Sequence, residues 1–339
     1  MTETATQAHY TDTAYRSNRK APEPAEDNRQ GAVFRKSWTM GSPLTKGRLY
    51  GLVPPSLLAL WSPSWLRDDK RLKEENGVDE LVERHTYFGR LDEECIRYAT
   101  LPKSSWALLW MQHGGRICFI WLFPIALLVL AYGWWIEHET TTFSVYFHEG
   151  ILPLFLYMFL PMLLCWGVGR FLEKKFPHIV YRSPKGPLWE LNRRTGLVTL
   201  FDDITKDETA GQVKAQAPFH DWEGYLMSLP DHQGNIWHRL MLVHKTREWA
   251  LPLNQLLAAT TNKQDVLAYW DLIRQYMDVT KPLPDVPVFE AYRSLDPTTR
   301  AYDTKKGRDP RYWFDMDDET FEAVRRENEA KVRSSNWGE

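Results

Sequence analysis

The sequence predicts an α+β integral membrane protein: a two-helix transmembrane hairpin followed by an antiparallel β-domain that a C-terminal amphipathic helix closes. Three observations carry this. Residues 117–136, "ICFIWLFPIALLVLAYGWWI", hold no charge, and neither do residues 150–169, "GILPLFLYMFLPMLLCWGVG". Downstream, short apolar runs separated by turn residues give way to a 3.6-residue apolar period.

Each charge-free run has twenty residues. At about 1.5 Å per helical residue that matches a hydrocarbon core of about 30 Å. Pro124, Pro153 and Pro161 are costly in water-exposed helices but tolerated as kinks in membrane ones. Of 16 tryptophans, Trp106, Trp110, Trp121, Trp134, Trp135 and Trp166 lie in or beside the runs, and indole rings favour the membrane interface. Two buried core helices of a soluble protein are the alternative, but they rarely show charge-free twenties with aromatic ends. The hairpin as a whole is set at residues 116–172. Its connection, Glu137 to Glu149, lacks Lys and Arg, whereas Lys103, Arg116, Arg170, Lys174, Lys175, Arg182 and Lys185 flank it. The positive-inside rule then puts both termini in the cytoplasm.

Before the hairpin, residues 1–35 are polar and are expected to be disordered. Residues 36–115 form a cytoplasmic or interfacial region. Within it "LYGLVPPSLLALWSPSWL", residues 49–66, is uncharged but carries Pro54, Pro55 and Pro63. It either lies on the membrane face or packs on the β-domain, since an isolated third span would leave backbone groups unsatisfied. A charged helical piece over 68–85, a strand near Cys95–Thr100 and an amphipathic lead-in, "SWALLWMQHGG", follow.

Behind the hairpin, residues 176–280 read as the β-domain with its closing helix. Strands are expected at 179–183, 188–192, 197–202, 219–229, 236–245 and 248–253. In "PLWELNRRTGLVTLFDD", residues 187–203, Gly196 ends a polar turn between two apolar runs, a hairpin signal. In "KQDVLAYWDLIRQYMD", residues 263–278, Val266, Leu267, Trp270, Ile273 and Met277 share one helical face. Residues 281–339 read as a Pro-rich extended arm and a charged C-terminal helix.

"LWELNRRTGLV" and the tail "LPDVPVFEAYRSLDPTTRAYDTKKGRDPRYWFDM" together resemble an uncharacterised family of bacterial two-pass inner-membrane proteins, a domain of unknown function. Members occur near type VI secretion and toxin–immunity loci. The resemblance implies an inner-membrane location and a protein partner, a toxin or secretion component. It brings no catalytic residues. A weaker similarity, in the order of strands and closing helix, is to bacterial pleckstrin-homology-like domains, which implies lipid sensing or scaffolding.

Charge is nearly balanced, 42 Lys+Arg against 44 Asp+Glu, so no nucleic-acid partner is expected. Three cysteines without a CxxC pair argue against a disulfide framework or zinc. His220, His232, His238 and His244 invite a metal reading, but His238 and His244 would stand about 20 Å apart along a strand. Asp202, Asp203, Asp207 and Glu208 lack the Gly and Glu of an EF-hand loop. No hydrolase, Walker or dinucleotide pattern is present, so neither cofactor nor catalytic residue is expected, and an enzyme acting on lipid or envelope precursors ranks third. Lys174, Lys175, Lys185, Arg193 and Arg194 are the candidate contact residues. Either they only obey the positive-inside rule, or they touch anionic lipid or a partner. The leading expectation is a non-enzymatic, membrane-tethered protein-binding module.

Overall fold

Alternation of buried and exposed residues, and where it fails, accounts for most of the architecture. A computed structural model of the chain describes residues 9–19, 41–44, 47, 49–75, 89–99, 102–180, 186–202, 211–254 and 256–335. Two compact units emerge: Met1–Ala99 with Gly186–Glu339, and Thr100–Lys185.

In chain order the strands are β1 (Gly41–Pro43), β2 (Arg90–Leu91), β3 (Cys95–Tyr98), β4 (Trp189–Asn192), β5 (Leu197–Phe201), β6 (Val213–Pro218), β7 (Trp222–Pro230), β8 (Ile236–His244) and β9 (Ala250–Pro252). Among the described residues the α-helices of six or more residues, with two single turns, are α1 (Pro55–Leu60), α2 (Pro63–Glu75), α3 (Lys103–Glu137), α4 (Phe143–Lys175), α5 (Pro177–Val180), α6 (Lys263–Met277), α7 (Pro297–Lys306), α8 (Tyr312–Asp315) and α9 (Asp318–Ser334); a 3-10 turn spans Pro287–Tyr292. Helices α3, α4 and α5 belong to the second unit.

The first unit is mixed α+β, with two antiparallel sheets ordered β1-β7-β8-β9 and β2-β3-β4-β5-β6. Period two decides their inner faces: Trp189, Leu191 and Val198 of one sheet and Trp222, Leu226, Leu240 and Leu242 of the other share one core. Helix α6 lies in that core. Its Asn262 cap accepts a hydrogen bond from Gln264 N, and its Trp270 ring lies over Gly224, where a Cβ would come within 2.8 Å of the indole.

The predicted face of α6 is buried, yet so are Asp265, Ala268, Tyr269, Asp271, Leu272 and Tyr276. The helix is central because a second layer covers its polar side. Asp271 accepts hydrogen bonds from Tyr50 N and Leu52 N at 3.1–3.2 Å, and Ala268 packs with Leu52 and with Val332 of α9. Residues 49–66 accordingly pack on this unit, with Leu57, Leu58, Trp61 and Leu66 in the core, and form α1 and the first turn of α2.

Several other expectations are corrected. Strands β1, β2 and β3 come from residues 36–115, delimited above as a cytoplasmic or interfacial region outside the β-domain, and they complete the sheets of that domain; β3 falls where a strand is expected near Cys95–Thr100. The 281–316 stretch is no extended arm: Leu283, Val286, Phe289 and Trp313 enter the main core, because its prolines alternate with large apolar groups. Ile179 and Val180 are helical rather than strand, while 181–183 lie outside the described residues. Strand β6 was missed, and Phe219–Asp221 is a 3-10 turn ahead of β7. Segment 9–19 of the tail expected to be disordered is folded against the domain. The predicted helix beyond Glu75 and the acidic stretch 203–208 fall outside the described residues.

In the second unit, α3 and α4 are each long and apolar enough to cross a membrane. They pack through glycine notches, where small residues let helix backbones approach. A Cβ at Gly169 would come within 2.5 Å of Gln112 Cβ, and one at Gly115 within 2.9 Å of Met162 O. Helix α4 widens into π-turns at Phe147–Ile151 and Phe155–Phe159, each just ahead of a Leu-Pro pair whose proline cannot donate to the α ladder.

Candidate functional site

The Arg-Arg turn forms as its sequence dictates, but its two arginines part company. Gly196 holds φ at +69°, a left-handed conformation open to glycine, and its N–H closes the turn on Asn192 O at 2.8 Å. The Arg193 side chain is 0% exposed. Its Nε and Nη2 donate to Asp296 Oδ1 and Oδ2 at 3.0 and 3.2 Å. Its remaining N–H groups reach the carbonyls of Tyr276, Asp278 and Lys281 at the end of α6. A guanidinium suits this place because its donors form a planar fork. The expectation that Arg193 stands at an exposed tip is therefore corrected: it is withdrawn from any membrane surface.

Asp296 does three things at once. It caps α7 by accepting from Thr299 N at 3.0 Å, pairs with Arg193, and accepts from Tyr10 Oη. Burial pushes its carboxyl up, but the Arg193 charge and these hydrogen bonds more than offset that and hold it below its ordinary value. Burial pushes the Tyr10 phenol up to about 12. Segment 9–17 runs on across the turn: Thr11 N donates to Arg194 O at 3.1 Å, Thr13 Oγ1 to Thr195 O at 2.7 Å, and Val279 N to Tyr15 O at 3.1 Å.

Arg194 is half exposed and pairs with Glu94 Oε1 at 3.3 Å, while donating to His9 O at 2.8 Å. Lys174 and Lys175 are exposed in the last turn of α4, in the other unit. Lys185 lies outside the described residues. The five basic residues are thus not one cluster within either unit.

A different surface feature stands out at the β7–β8 end. Ile236 and Trp237, the first two residues of β8, are 54% and 40% exposed and directly follow a turn that Asp231 holds together. Its Oδ1 accepts from Gln233 N and Asn235 N at 2.8 and 2.9 Å, and its Oδ2 from Asn235 Nδ2 and Trp237 Nε1 at 3.1 and 3.0 Å. These hydrogen bonds, led by that of Trp237, hold the Asp231 carboxyl down at about 2. Exposed aromatic groups on a stiff frame are the usual anchors of protein interfaces. The sequence signal was "DHQGNIW", an Asx-type turn running straight into two large apolar residues.

Among the described residues no group of three or more His, Cys, Asp or Glu is disposed to hold a metal ion. His238 Nδ1 instead pairs with Ser228 Oγ at 2.8 Å, and His244 Nδ1 accepts from Thr246 N and Arg247 N. Compared with known protein families, curated proteins and solved structures, the chain finds no match.

Proposed function

We propose that this chain is a non-enzymatic, membrane-tethered protein-binding module of the bacterial inner membrane. In this reading α3 and α4 cross the bilayer as a hairpin, both termini are cytoplasmic, and the α+β unit offers Ile236 and Trp237 to a partner. The exposed pair beside that hydrogen-bonded turn is the observation that carries the binding role.

The tether is supported by topology. Tyr98 of β3 pairs with Trp189 of β4, and Leu188 N donates to Tyr98 O at 2.8 Å, so the helices are an insertion between two hydrogen-bonded strands. One folded body holds the chain on both sides of the insertion, which suits an even number of crossings. Reporter fusions at residue 110 and after residue 339 should work only with cytoplasmic reporters, and one near Thr141 only with a periplasmic reporter. Alkaline phosphatase activity at the C-terminus would overturn the orientation.

In the finer form, the module is an immunity or accessory protein of a type VI secretion locus. Cells lacking it should be killed by the toxin encoded beside it, and Ile236→Ser with Trp237→Ser should abolish protection in a chain that still folds, its melt lowered only by loss of the Trp237–Asp231 hydrogen bond. Survival of the deletion strain against every neighbouring effector would overturn this. A second reading, a lipid-sensing scaffold with a pleckstrin-homology-like domain, is favoured by exposed Lys174 and Lys175 just past the charge-free run.

A further inference from the structure

We infer that the cleft between the charged ends of α3 and α4 binds the phosphodiester of an anionic phospholipid, one whose head group is otherwise uncharged. The inference rests on the reading that the two helices cross a membrane.

A cavity of about 250 Å³ opens between the two helices, lined by Gln112, His113 and Arg116 of α3 and by Trp166, Arg170 and Glu173 of α4. The helix seam puts an arginine on each wall. Gly115 and Gly169 are contact points of that seam: a Cβ at the first would come within 2.9 Å of Met162 O, and one at the second within 2.5 Å of Gln112 Cβ. Arg116 and Arg170 directly follow these two glycines. One residue is about 100° of helical turn, so each side chain leaves the edge of the seam rather than its centre. Depth follows from the sequence. Arg116 immediately precedes the first charge-free run and Arg170 immediately follows the second, so both stand where hydrocarbon gives way to head groups.

The cleft keeps a positive charge of its own. Glu173 is the one carboxylate on its lining, and its Oε2 already accepts from Arg170 Nη1 at 3.0 Å and from Gln112 Nε2 at 2.7 Å. Arg116 is exposed and has no ion-pair partner among the described residues. Two guanidiniums against one carboxylate leave the lining with one positive charge, which a single phosphodiester balances, and guanidiniums match phosphate oxygens in geometry. No acid nearby in sequence competes: residues 100–116 and 170–185 hold seven Lys and Arg against Glu173 alone. A basic pocket between membrane helices is the ordinary setting for an anionic head group. Phosphatidylcholine offers the same phosphate but adds a trimethylammonium, which this excess of positive charge repels. The preference is therefore for the lipid of net negative charge.

The test uses the detergent-solubilised full chain, titrated with phosphatidylglycerol, phosphatidylcholine and glycerol phosphate and read by native mass spectrometry. Phosphatidylglycerol should be retained roughly tenfold over phosphatidylcholine. Arg116→Gln, at an exposed position, should weaken phosphatidylglycerol retention roughly tenfold, the loss of about one charge-assisted contact. Lys175→Gln removes the same charge from α4 outside the cavity and should weaken retention less than about threefold. Equal retention of the two lipids overturns the site. So do equal losses in the two variants, which would mean diffuse attraction to a basic helix end. Competition by glycerol phosphate at the lipid's own concentration would mean a soluble phosphate ligand and overturns the lipid. Alkaline carbonate extraction of membranes separates the two readings: release of the protein overturns the membrane reading and the site together, whereas retention in the membrane without preference for the anionic lipid overturns the site alone.

Discussion

Arg193 in the β4–β5 turn and Asp296 at the start of α7 form a fully buried, two-point ion pair across 103 residues of chain. Replacing Arg193 with Met leaves Asp296 charged and unpaired in the interior. Loss of one partner from a buried pair costs roughly 3–5 kcal/mol. Arg194→Met, at a half-exposed position, should cost under about 1 kcal/mol. Thermal melts of the detergent-solubilised chain compare the two. Equal melts would show that the Arg193 pair contributes nothing to stability.

Acid should weaken the same junction. The Asp296 carboxyl sits below its ordinary value in the folded chain, so folding favours its ionised form. That stability is complete above the unfolded carboxylate value of about 4 and is lost as pH falls through the lower folded value. The gap in melting temperature between the native chain and Asp296→Asn should therefore be widest near neutral pH and shrink towards pH ~3. A gap that stays constant over this range would refute the linkage.

Gly224→Val should destabilise the first unit by about 1–3 kcal/mol through overpacking against Trp270. Trp270→Ala should cost about 3–5 kcal/mol by opening a cavity. Combined, the two changes should cost less than their sum, because the valine enters the space the indole left. Strict additivity in a double-mutant cycle would show that the two positions do not touch.

In the second unit, Gly169→Leu should force α3 and α4 apart at Gln112. The thermal melt of the detergent-solubilised chain, followed in the helical band of the circular dichroism spectrum, reports the loss of packing. The melting temperature should fall with Gly169→Leu and stay unchanged with Gly167→Leu, since nothing stands within 4 Å of a Cβ there. Equal melts for the two variants would sink the notch.

Because Tyr98 and Trp189 are cross-strand partners, deleting residues 100–185 and joining Ala99 to Gly186 through Asn-Gly should give a hairpin connection. The resulting protein should be soluble and keep the β-rich circular dichroism spectrum of the first unit. Aggregation with loss of that spectrum would mean the unit depends on its insertion.

What the sequence revealed was local in origin. The charge-free runs, the Gly196 turn and the face of α6 carrying Trp270 each depend on residues within a few positions of one another. What it concealed was long-range. Nothing near Arg193 announces Asp296, and an Arg-Arg turn beside a membrane segment ordinarily signals exposure. The 281–316 stretch has the pattern of an extended arm because prolines ordinarily break helices, whereas Phe289 and Trp313 fill the core from two short turns. Tyr10 lies in polar company and is buried only because Asp296 and Thr298 offer its hydroxyl partners. The Ile236–Trp237 surface escaped notice because strand patterning reports which residues alternate, not where a strand leaves the sheet's cover.

The insertion between β3 and β4 also sets an order in time. When β3 leaves the ribosome its main partner does not exist; β2 offers only a two-residue ladder, too little to hold alone. At about 5–20 residues per second, β4 arrives on the order of ten seconds later, after both long apolar helices have been made. Strand β1 waits longer still, for β7. Both long apolar helices are thus complete before either sheet can close, and the chain carries unpaired strand edges throughout the delay.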